Sequence, residues 1–131
     1  MGLINSGLIV TGGGQARQRA IVCAASGGSA ALAAGVLAYL TLPAQMLVTG
    51  WDLLASASDT FTLDCQQTTY AAFPTGFASI FASAPALAAA QKAQARGLAI
   101  TLAQYTVLQF VLGGTPVSHQ ITLALYAQAS S

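Results

Sequence analysis

Few residues in this chain have side chains that do acid–base, nucleophilic or metal chemistry near neutral pH. They are Asp52, Asp59, Asp64, His119, Cys23 and Cys65; there is no glutamate. Paired carboxylates serve as general acid and base or hold a cation. A lone histidine serves as a base when something orients it. The three aspartates fall between positions 52 and 64, and His119 stands far from them in sequence. Asp64 sits at an outward position of an alternating run, and Asp52 and Asp59 flank Ala55-Ser56-Ala57-Ser58. They therefore read as surface and turn residues, where Asp bonds locally to the backbone. His119 reads as a loop residue.

Cys23 and Cys65 lack the close spacing of zinc or redox pairs and read as two small buried hydrophobes. Gly12-Gly13-Gly14-Gln15-Ala16-Arg17 lacks the lysine of a phosphate loop and the glycine spacing of a dinucleotide fingerprint. No G-x-S-x-G elbow is present. Arg17 and Arg19 alternate onto one face, too few to predict more than an ion pair. Trp51 reads as a core anchor, with an interface anchor as the second reading. Met1-Gly2-Leu3-Ile4-Asn5-Ser6 fits the loose pattern for myristoylation, a weak match, and has no basic region of a secretory signal. The expectation is no catalytic residue, no cofactor and no metal.

The elements that carry these residues are β-rich. Thr60 to Gln66 alternates, with Phe61, Leu63 and Cys65 inward and Thr60, Thr62, Asp64 and Gln66 outward. Ile121, Leu123 and Leu125 oppose Thr122, Ala124 and Tyr126 in the same way. Leu98–Leu112 and Ile121–Gln128, punctuated by Gly113-Gly114-Thr115-Pro116, predict an antiparallel hairpin over 98–128. Val36 to Leu54 reads as two strands broken at Pro43, with Met46 and Val48 on one face and Leu47, Thr49 and Trp51 on the other.

Between them the period changes. Pro74 and Pro85 break the chain. Pro85 suits a first helical position and Gly97 the residue after a last turn. Lys92 and Arg96, four apart, would share one face near the negative helix end. A helical insert over 75–96 is the expectation. Residues 1–14 read as a glycine-hinged flexible arm and 15–131 as a single β-rich domain. The fold class expected is an antiparallel β-sandwich or small barrel, jelly-roll-like or tail-tube-like.

Charge decides between functions. Charged residues make up 5% of the chain and the net charge is +1, against roughly 25% charged in an ordinary soluble domain. Such a surface has little colloidal protection, and so few cations argue against a nucleic-acid partner. The sequence therefore points to a non-enzymatic structural protein of a large assembly. The expected role is a virion component, a capsid decoration, cement or minor capsid protein that packs on copies of itself and on a major capsid protein. A tail-tube or neck subunit is the alternative. A small membrane protein with a span within 30–48 is another, since that stretch is uncharged. An enzyme or small-ligand binder comes last, because its acid–base groups are so few.

Overall fold

The computed structural model describes residues 5–12 and 18–129, and their side chains over 20–128. Among the described residues, eight strands form one antiparallel sheet: β1 (Asn5–Gly12), β2 (Gln18–Ser26), β3 (Gly35–Thr41), β4 (Met46–Thr68), β5 (Ala78–Ser79), β6 (Ala86–Leu102), β7 (Val107–Gly114) and β8 (Gln120–Ala129). The hydrogen-bonded path runs β1-β2-β8-β4-β7-β3, with β5 and β6 on the other edge of β4. The sheet curls into a half-barrel around one apolar core.

β4 organises everything else. Its 23 residues span the curl, and its neighbours change along its length. Met46–Ala55 pairs with β8, and Phe61–Thr68 pairs with β7. β6 runs along the opposite edge from Met46 to Thr62. Alternation explains why the strand bends around a core: Leu53, Phe61, Leu63 and Cys65 are all buried on its concave side. A register shift between Val48 and Gly50 turns the pleat by one residue. Trp51 thus joins Met46 and Val48 in the core, not the opposite face as simple counting predicts. Gly50 is needed there, since a Cβ would lie 2.6 Å from the carbonyl oxygen of Ala95.

Three expectations are corrected. No helix is present among the described residues: the expected insert over 75–96 is a loop, the short β5 and most of β6. Alanine, glutamine and lysine favour helix locally, but pairing along β4 overrides that preference. Register irregularities on the β4–β6 ladder put Leu87, Ala90 and Ala93 on the core side. Their spacing of three imitates a helical stripe inside a strand.

The 98–128 hairpin does not form. Leu98–Leu102 ends β6, and the chain turns at Ala103–Thr106, where Tyr105 is left-handed at φ 66°. β7 and β8 then follow one another along the same edge of β4 without pairing to each other. The link at 55–59 is not a turn but the middle of β4. Residues 30–48 form a bend, β3 and the start of β4, and no helix among the described residues is long and apolar enough to cross a membrane. Of the expected arm, Asn5–Gly12 is β1 paired with β2; its residues 1–4 and 13–14 lie outside the described residues.

Candidate functional site

The expected chemical residues are scattered by the fold. Asp59 sits where β4 changes partner and is only 5% exposed. Its Oδ2 accepts from the backbone N–H groups of Val117 at 2.9 Å and Ser118 at 2.8 Å, and its Oδ1 from that of Thr60 at 2.8 Å. Burial alone raises its pKa, but the hydrogen bonds from Ser118, Thr60 and Val117 outweigh burial and hold it below the usual carboxylate range. Asp59 is thus a clamp for the 115–119 crossover, not the surface turn residue expected. His119 lies exposed just past that clamp, beside a cavity of about 360 Å³ lined by Gly28, Ser56, Ala57, Val117 and Gln120. No carboxylate lines that cavity.

Asp52 belongs to a separate cluster on the convex face. The Tyr126 hydroxyl donates to its Oδ2, and Arg96 Nη2 faces its Oδ1 at 2.9 Å as an ion pair. The Arg96 guanidinium also lies 4.9 Å over the Tyr126 ring and donates from Nη1 to the Trp51 carbonyl at 3.0 Å. The Tyr126 hydroxyl first, then Arg96, holds the Asp52 carboxyl below its ordinary range against the opposing effect of burial. Here the positive charge is already matched. Lys92 stands exposed nearby, along a shallow depression of about 350 Å³ with Asp52, Leu54 and Gln94.

Cys23 and Cys65 are free and buried. Burial pushes the Cys23 thiol up to about 12, and burial with neighbouring Asp64 raises that of Cys65 further. Both stay protonated and unreactive at neutral pH. Among the described residues, no group of three or more metal-ligating side chains is assembled. The side chains of Arg17 and Arg19 lie outside the described ones.

A constellation that the sequence did not single out lies on the convex face of the other half. The pairings Tyr39↔Gln109, Gln66↔Gln109 and Gln66↔Ser79 put four residues from β3, β7, β4 and β5 in one cross-strand row. Gln109 Nε2 donates to Gln66 Oε1 at 2.6 Å. Gln66 Nε2 donates to Asp64 Oδ2 at 3.3 Å, and Ser79 Oγ to Asp64 Oδ1 at 2.7 Å. At the β3 end the Tyr39 ring meets Phe73 at 5.3 Å and Phe77 at 6.2 Å, centre to centre. Both phenylalanines come from the 69–77 loop, tied down by the Thr68 hydroxyl donating to the Thr75 carbonyl at 2.7 Å. Tyr39 remains 52% exposed and Phe73 40%. The outward glutamines were visible as alternation, but the pairing that aligns them was not.

No protein-family model matches the sequence, and no curated protein matches it. Among solved structures, the chain is similar to one described as "CBM4 structure and function", at 14% identity over 86% of this chain and 81% of the other, with a TM-score of 0.31. At that score the two share too little geometry for the likeness to bear on fold or role.

Proposed function

We propose that this chain is a non-enzymatic structural subunit of a large assembly, a virion component of the capsid decoration, cement or minor capsid kind. Its partners are copies of itself and a major capsid protein. The reading is carried by one observation. The convex face of β2, β8 and the adjoining part of β4 offers Ala20, Val22, Ala24, Thr122, Ala124 and Leu54, all half-buried or exposed. Among the described residues, charge on this side begins only at Asp52 and the β6 cations. A small-residue face whose one described charge on β2, β8 and the adjoining part of β4 is Asp52, paired with Ala124, costs little to dehydrate and lets another backbone approach closely. The low overall charge supports the same reading, since a free subunit would lack repulsion against its neighbours.

The two halves of the curl are read as facing layers of a sandwich-like body. Support comes from β1 and β3, the two ends of the strand path, which approach one another. Sedimentation velocity of the purified chain over a dilution series tests the assembly role. Oligomers that persist on dilution are expected; a single well-behaved monomer at every concentration contradicts it.

A further inference from the structure

The row from Tyr39 to Ser79 has a chemistry that packing through an apolar face does not use. Four strands at about 4.8 Å spacing give it a length of about 14 Å. Along that length stand two glutamine amides and a serine hydroxyl, which both donate and accept, and the Asp64 carboxylate, which only accepts; they bond to one another and offer a ligand the capacity left over. At one end stand exposed aromatic rings.

We propose that this face binds a neutral polyhydroxylated ligand, an oligosaccharide chain laid across β3, β7, β4 and β5. Sugar hydroxyls donate and accept together, as the amides do. The C–H face of a pyranose is apolar and packs on an aromatic ring such as Tyr39. The other ligand classes fit worse. Among the charged side chains described, Asp64 is the one in the row, and it repels anions. A cation cage is closed, because Tyr39, Phe73 and Phe77 pack against one another, with Phe73 and Phe77 at 6.0 Å centre to centre. An apolar peptide would leave the second N–H of each glutamine amide, beyond the one each already donates, covered and unused. The row lies open on the convex side of the sheet, so it suits a chain lying along it better than a small molecule needing enclosure.

Immobilised full-length protein titrated with soluble mixed-linkage β-glucan, xylan, galactomannan and dextran is the test. Saturable binding of at least one polysaccharide is expected. Tyr39→Ala should weaken it about tenfold, the scale of one stacking contact. Gln109→Ala should weaken it about fivefold, the scale of one hydrogen bond. Tyr105→Asn, which removes a somewhat more exposed ring elsewhere and tolerates the left-handed backbone, should bind as wild type. Binding of none of the four, or binding that Tyr39→Ala and Gln109→Ala leave intact, overturns the proposal. The sedimentation of Tyr39→Ala should match wild type, so failure here is distinct from failure of the assembly role.

Discussion

Asp59→Ala is expected to cost about 3 kcal/mol of folding stability, because it leaves backbone donors around a buried position without their acceptor. The three N–H groups of Thr60, Val117 and Ser118 converge on one carboxylate. Ser118 is fully buried, so water cannot substitute there. The loss should reach beyond the local turn. The 115–119 crossover sets where β7 ends and β8 begins along β4, so releasing it loosens the register of both ladders. Asp59→Asn keeps one acceptor oxygen but brings an NH₂ towards N–H groups, and about half the loss is expected. Chemical denaturation of the three proteins measures this; equal midpoints would show that the clamp is dispensable.

The same carboxylate gives a pH dependence of known sign. Its pKa is lower in the folded chain than in the unfolded one, so the folded state favours the ionised form. The stabilisation is complete above the unfolded value of about 3.9 and is lost as pH falls through the lower folded value. Wild type should lose stability on acidification over that window. Asp59→Ala should lose less, the remainder being due to Asp52, which is also depressed.

Ala24→Glu is expected to break the assembly while leaving the fold alone. Ala24 is exposed on β2, opposite Thr122 on β8 and Gly7 on β1, so no carboxylate stands directly across from a new one. In a lone chain the glutamate stays in water, and the denaturation midpoint should move by no more than about 0.5 kcal/mol in stability. Under a neighbouring subunit it would be an unpaired buried charge, costing about 3–5 kcal/mol at each contact. That weakens association by roughly a hundred- to a thousandfold or more. Sedimentation should show smaller species; oligomers of unchanged size would mean that another surface holds them.

Much of the core was legible because alternation needs only local sequence. Phe61, Leu63, Cys65, Ile121, Leu123 and Leu125 are buried as their period of two requires. What failed depends on partners distant in the chain. The Ala86–Arg96 stretch has helix-favouring residues, capping proline and glycine, and a period near three, yet β4 recruits it as a strand. The turn at Ala103–Thr106 has neither glycine nor proline to announce it. Asp59 resembles any turn aspartate until β7 and β8 are laid end to end along β4. The row of Tyr39, Gln109, Gln66 and Ser79 is invisible for the same reason, since its members are neighbours only through register.

The claim beneath all of this is that other subunits cover the outer face of β2 and β8. Maleimide labelling of Ala24→Cys, in the assembled state and after dissociation, reads that covering directly. The native thiols are buried and protonated, so the introduced one is the reporter. Labelling at least about tenfold slower in the assembly is the result expected of a thiol shielded from solvent. Equal rates in the two states would show an uncovered face and contradict the account.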